Sequence, residues 1–221
     1  MTTIAIVGAG PGLGAAVARR FGAEGFDIAL ISRNADHAQS LAAELRGEGL
    51  NAHGFAANVR DGAGLAAALE TVSETVGPIE VLQYSPLPQK DFMRPVFETT
   101  AADLHGPIET SILGPVAAVH QVLPGMKFIG RGTILFVNGG TAVQPKPDFA
   151  GTSIAFAAQS AFAQMAHDAG AERGVHVAQL IIPGAIDPED PEKSPAALAE
   201  KLWTIHTERG AFRTFAVPLD G

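Results

Sequence analysis

At 221 residues, 47% of them hydrophobic and 17% charged, the chain can bury one sizeable core, so residues 1–221 are expected to form a single domain. Its net charge of -8 opposes attraction to nucleic-acid phosphates or to an anionic membrane, and the expected partner is a small molecule. No stretch reaches the roughly 20 apolar residues that cross a bilayer, and Met1–Val7 lacks the basic region and cleavage site of a secretory signal, which by elimination points to the cytoplasm.

The chain opens with the apolar run Thr3–Val7, and further runs follow at Asp27–Ser32, Ala52–Ala56, Val81–Tyr84, Thr133–Val137, His176–Ile182 and Arg213–Val217. The early runs are apolar at nearly every position, the pattern of strands whose two faces are both covered by helices. Between them, Leu13, Val17 and Phe21, then Leu41 and Leu45, then Leu65 and Leu69 recur at helical spacing. Alternating strands and helices predict an α/β fold: a doubly wound, parallel, seven-stranded sheet of the Rossmann type, with helices on both faces. Two predicted helices, roughly Ala101–Phe128 and Ser153–Arg173, are long and alanine-rich, with Phe156, Phe162 and Met165 spread around the second. Either a thick internal core or a subunit interface explains apolar residues on more than one helix face. Proline clusters at Pro86–Pro88, Pro145–Pro147 and Pro183–Pro195 mark loops that follow strands, on the ligand side of such a sheet.

The strongest local signal is Val7-Gly8-Ala9-Gly10-Pro11-Gly12-Leu13-Gly14, directly after the first strand and opening the first helix. Glycines there permit a tight turn and let main-chain N–H groups approach a pyrophosphate, while the helix N-terminus favours the negative charge. Gly8, Gly10, Pro11, Gly12 and Leu13 are therefore candidate cofactor contacts, although a glycine-rich turn without a ligand has the same composition. After the second strand an NAD site usually carries a carboxylate for the adenine ribose, and here the residues are Ser32-Arg33-Asn34. A guanidinium at Arg33 suits a 2′-phosphate, with Ser32 and Asn34 adding hydrogen bonds, so the expected cofactor is NADP(H); a solvated loop arginine is the alternative.

With these motifs in place the chain resembles the short-chain dehydrogenase/reductase family, whose turn reads Thr-Gly-x3-Gly-x-Gly. Gly8, Gly12 and Gly14 match it, and Val7 replaces the threonine. Asn58-Val59-Arg60-Asp61 is similar to the family's Asp-Val pair beside the adenine, and Pro183-Gly184-Ala185-Ile186 is similar to its Pro-Gly stretch beside the nicotinamide. The resemblance implies cofactor contacts at Asn58, Val59, Tyr84, Ser85, Pro183, Gly184 and Ile186, an oxidoreductase acting on a small carbonyl or alcohol, and a homodimer or homotetramer.

The family's Asn-Ser-Tyr-Lys catalytic group is missing. Carried along the register, its four positions fall on Ser111, Gly139, Thr152 and Phe156. No shift of register restores it, because Tyr84 is the only tyrosine and no lysine lies between Lys146 and Lys193. The substitute pocket candidates are Tyr84, at the C-terminal edge of its strand and able to donate from its phenol, together with Asn138, Thr141 and Thr152. Histidines 167, 176 and 206 fall on separate elements without metal-ligand spacing, so no metal site is expected, and no Gly-x-Ser-x-Gly elbow is present. Two functions remain: an NADP(H)-dependent oxidoreductase that works through non-standard pocket residues, or a catalytically inactive NADP(H)-binding sensor or partner protein.

Overall fold

The computed structural model describes residues 2–219. Seven strands, β1 (Thr3–Val7), β2 (Asp27–Ser32), β3 (Ala52–Ala56), β4 (Ile79–Tyr84), β5 (Gly132–Gly139), β6 (Val175–Ile182) and β7 (Arg213–Phe215), form one sheet in the order β3-β2-β1-β4-β5-β6-β7. Every pairing is parallel. The connecting segments include α1 (Leu13–Gly22), α2 (Ala35–Gly47), α3 (Gly62–Thr75), α4 (His105–Ile108), α5 (Gly114–Phe128), α6 (Ala150–Gly170) and α7 (Pro195–Glu208). The expected doubly wound Rossmann-type architecture is present.

Strand alternation divides the core into two layers. Ile4, Ile6, Ile28 and Leu30 pack with Val17, Phe21, Leu41, Leu45, Leu198 and Leu202, whereas Ala5, Val7, Ala29 and Ile31 pack with Leu65, Leu69, Val119 and Val122 on the other face. Neither face of the central strands meets water, which is why their sequences show no polar alternation. β1 is bonded to β2 on one side and β4 on the other, so the order reverses there and a crevice opens beyond the C-terminal ends of these strands.

The long helix expected over Ala101–Phe128 is a composite. A 3-10 turn (Ala102–Leu104) runs into α4, then a π-turn (Glu109–Leu113), then α5. Pro115 has no N–H to offer the Ser111 carbonyl four residues back, and the wider π-turn accommodates that gap. The second long helix begins at Ala150, three residues ahead of its expected start, and its last turn (Ala171–Arg173) tightens to 3-10. Phe156 is buried, but Met165 is 63% exposed, as is Leu113 at 55%, so a second apolar face remains open in the single chain. No helix among the described residues is long and apolar enough to cross a membrane.

At the opposite end of the sheet from the crevice, His176 is buried on β6, its ring centroid 5.7 Å from that of His167. Burial, aided by the nearby charge of Arg209 and by His167 and His206, pushes its imidazole down to about 4. The unfolded chain therefore takes up a proton near pH 6.5 that the folded chain refuses until about pH 4, and stability falls as pH drops through that window, by up to about 3 kcal/mol. Urea midpoints measured at pH 7 and pH 4.5 should show this loss in the wild type and a clearly smaller one in His176→Gln. An equal loss in both would assign the acid sensitivity to other groups.

Candidate dinucleotide cleft

Each glycine of the turn after β1 has its own structural task. Gly8 has φ +86°, and a Cβ added to it would lie 2.6 Å from the Pro86 nitrogen, so the chain crosses the β4 loop where only glycine fits. The N–H groups of Gly8 and Ala9 both donate to the Ile31 carbonyl at 3.0 Å, which pins the turn to β2. Gly14 approaches Ala9, with a Cβ position 3.1 Å from the Ala9 Cα, and closes helix against turn. At Gly10 and Gly12 an added Cβ would meet no atom within 4 Å, so these two border open space. Side chains of Asn34, Asp61 and Ser194 cap α2, α3 and α7, but the residue that precedes α1, Gly12, has no side chain to cap it. The Ala15 N–H donates to the Gly10 carbonyl at 2.9 Å, and the N–H groups of Leu13 and Gly14 ahead of it are left to an external acceptor.

That open space is a cleft of about 630 Å³ running from Gly8–Gly14 past Ser85–Pro88 to Val137–Gly139, Phe156, Ile182 and Gly184–Ile186. A second hollow of about 250 Å³ adjoins it, sharing Gly8, Gly10, Pro86 and Leu87, and reaches Ser32, Arg33, Asn58 and Val59. Together they form a groove across the point where strand order reverses. Among the described residues Arg33 is the one arginine whose side chain makes no hydrogen bond or ion pair; Arg19, Arg20, Arg60, Arg94 and Arg131 are ion-paired, and Arg46, Arg173, Arg209 and Arg213 bond backbone or side-chain oxygens. Its neighbours are more committed. The Asn34 Oδ1 accepts the His37 N–H at 3.1 Å as the cap of α2, the Ser32 Oγ accepts the Asn34 N–H at 3.4 Å, and the Asn58 Oδ1 accepts the Arg60 N–H at 3.1 Å.

The larger cleft is walled almost entirely by glycine, proline, alanine, aliphatic residues and Phe156; its polar side chains are those of Ser85 and Asn138. Both are engaged. Ser85 Oγ sits between Gln83 Nε2 at 2.8 Å and the Val7 carbonyl at 3.5 Å. The Asn138 Nδ2 donates to Gln159 Oε1 at 2.6 Å, and its Oδ1 accepts from Gln179 Nε2 at 2.9 Å. Gln179 in turn accepts from Ser160 and Arg213, each at 2.9 Å, so Asn138 is the inner end of a buried amide network.

The profile of the short chain dehydrogenase family matches residues 2–197. The chain belongs to that family. Its sequence is 31% identical over 130 residues to D-threitol dehydrogenase of Mycolicibacterium smegmatis, covering 59% of this chain and 49% of that one. The chain thus spans about half the length of this curated relative, 49% by the aligned stretch. Among solved structures it is similar to a short-chain dehydrogenase from Rhodopseudomonas palustris, at TM-score 0.86 and 25% identity over 99% of both chains. It also shares its fold with a metagenomic short-chain oxidoreductase in complex with NADP, at TM-score 0.83 and 21% identity, covering 96% of this chain and 94% of that one.

In this family member the four positions assigned to the catalytic group hold no acid or base. Gly139 and Phe156 meet across the cleft, with a Gly139 Cβ position 3.9 Å from Phe156 Cε2. Ser111 lies buried in the π-turn, and Thr152 is buried at the start of α6 with its Oγ1 lacking a partner. Neither Thr152 nor Thr141, which sits in the 3-10 turn Gly140–Ala142, belongs to the cleft wall.

Tyr84 requires a correction. Its position at the end of β4 suggested a phenol presented to a ligand, but the ring packs into the helix-covered core against Phe136, and its hydroxyl donates to the Thr110 carbonyl at 2.6 Å. Burial pushes the phenol well above its ordinary value, so it is a fixed donor to the π-turn and has no part in the cleft wall. Asn34 and Pro183 also lie outside the two linings, whereas Gly8, Gly10, Pro11, Gly12, Leu13, Ser32, Arg33, Asn58, Val59, Ser85, Gly184 and Ile186 lie within them. Missed wall residues include Val137 and Ile182, whose apolar character reads as core in sequence, Leu87, which lies within the ligand-side loop Pro86–Pro88, and Thr110, which the π-turn carries into the hollow.

Proposed function

We propose that this family member binds NADP(H) along the groove, over a single domain of residues 1–221, and acts as an oxidoreductase with a non-standard pocket. The observation that carries the reading is the unpaired Arg33 at the rim of a hollow continuous with the uncapped α1 N-terminus. The residues fit the cofactor: Gly10 and Gly12 leave room for a pyrophosphate that the first N–H groups of α1 would bond, and Arg33 with Ser32 would hold a 2′-phosphate. Asn58 and Val59 would border the adenine, and Gly184–Ile186 the nicotinamide, which supplies a hydride. Proton handling by Asn138 is not part of this reading, because both ends of its amide are already bonded.

The engaged, hydrocarbon cleft wall favours a second reading, a catalytically inactive NADP(H) sensor or partner protein. Calorimetric titration with NADPH and NADH, followed by NADPH oxidation against a carbonyl panel, separates the two. Binding of NADPH at least about tenfold tighter than NADH, a difference of about 1.4 kcal/mol, supports the cofactor reading, and turnover then selects the enzyme over the sensor. A homodimer or homotetramer would cover the exposed Leu113, Ile154 and Met165 of the open helix face.

A further inference from the structure

The wall of the larger cleft selects a class of hydride acceptor. Around Val137, Gly139, Phe156, Ile182 and Ile186 it offers hydrocarbon and one aromatic ring, and its two polar side chains, Ser85 and Asn138, are neutral groups bonded to other parts of the protein, so the wall presents no side-chain acid to a substrate. Adding a hydride to a neutral carbonyl creates a negative oxygen, and a site that withholds even one donor from such an oxygen typically loses about 10²–10³ in rate. Adding a hydride to a C=N⁺ carbon creates no new charge on the substrate side. The new C–H bond forms at carbon, the C=N π pair becomes the nitrogen lone pair, and a cation becomes a neutral amine with no proton taken up or released.

We infer that the cleft takes an iminium cation bearing apolar substituents and yields a tertiary amine. The inference rests on the cofactor reading above, which supplies the hydride. A delocalised, weakly hydrated cation suits an apolar wall with the Phe156 ring beside it, and the net charge of -8 draws cations in.

The test starts with binding. With NADP⁺ present, so that no turnover occurs, N-methyl-3,4-dihydroisoquinolinium should bind the full chain at least about tenfold tighter than 1-tetralone, its neutral ketone counterpart. Phe156→Lys, which sets an ammonium against the cation, should weaken iminium binding about tenfold or more and leave the ketone within about twofold, while Phe156→Leu, the neutral control for folding, should keep iminium binding within about fivefold. With NADPH, the iminium should be reduced at least about 100-fold faster than the ketone, at a rate flat between about pH 6 and about pH 9. Equal binding or equal reduction of ketone and iminium, a Phe156→Lys variant that does not discriminate, or NADPH binding without iminium reduction would overturn the inference alone. Failure to bind either dinucleotide would overturn the cofactor reading and the inference with it.

Discussion

Replacing Arg33 with alanine should raise the NADPH dissociation constant about 10- to 100-fold and leave that of NADH within about twofold, because hydrogen bonds to a charged group are worth about 1.5–3 kcal/mol. The selectivity follows from geometry: Arg33 lines the smaller hollow and is absent from the wall of the larger cleft, where Pro11, Gly12 and Leu13 at the start of α1 would serve both dinucleotides. It also follows from availability, since no carboxylate holds the Arg33 guanidinium, whereas Arg19 is held by Glu44 and Glu48 and Arg20 by Glu24 and Glu200. An arginine already in an ion pair would have to break it before meeting a phosphate. Because Arg33 is exposed, salt should screen its interaction, and the wild-type preference for NADPH should narrow at about 0.5 M salt while that of Arg33→Ala changes little. Parallel losses of NADPH and NADH in Arg33→Ala would show that the side chain supports the groove in general and does not read a 2′-phosphate.

Two glycines four residues apart should fail in opposite ways. Gly8→Ala should destabilise the fold by about 3 kcal/mol, combining about 1–2 kcal/mol for a left-handed backbone with a clash of about 1–3 kcal/mol. The clash cannot be relieved by a side-chain rotation, because the atoms met are backbone: Pro86 N at 2.6 Å, Pro86 Cα at 2.7 Å and Ser85 C at 2.9 Å. Gly12→Ala meets nothing within 4 Å and gives up only the N-cap preference for glycine over alanine, so it should cost about 1 kcal/mol, well below Gly8→Ala. Its methyl would nevertheless project into the space assigned to the pyrophosphate, and NADPH affinity should drop more than about tenfold. Urea midpoints and NADPH titrations on both variants check the split. A stable Gly8→Ala would contradict the tight crossing at Pro86, and a Gly12→Ala that binds NADPH normally would move the pyrophosphate away from this turn.

The sheet was legible because its chemistry is repetitive. β1, β2 and β3 begin and end at the expected residues, Thr3–Val7, Asp27–Ser32 and Ala52–Ala56; β1 and β2, covered on both faces, show as apolar runs closed by turn residues, whereas β3 is a half-exposed edge strand. β7 is shorter than its run to Val217 suggested; it is an edge strand paired only with β6, and pairing stops at Phe215. The broken helix before β5 had a signal in Pro115, but composition alone does not say whether a proline kinks, ends or widens a helix. Asn34 was readable as a helix cap, an asparagine one residue ahead of α2, and that role competes with contact to a ribose phosphate.

Tyr84 shows where sequence stops. Its register partner is Val7, and the face on which both side chains fall depends on how β4 sits against β1, including the irregularity between Thr3 and Ile4. That single choice of face sends the phenol to Thr110 in the core. The same limit applies in reverse at Arg33: the residue was legible as a candidate, but its lack of an ion-pair partner depends on where every carboxylate lands.

Titrating the wild-type chain with NADPH and NADH under identical buffer and salt is the most direct measurement of the whole account. One-site binding of NADPH, at least about tenfold tighter than NADH, is the result predicted by an unpaired Arg33 beside an uncapped helix N-terminus. Binding of neither dinucleotide, or NADH bound as tightly as NADPH, would contradict it.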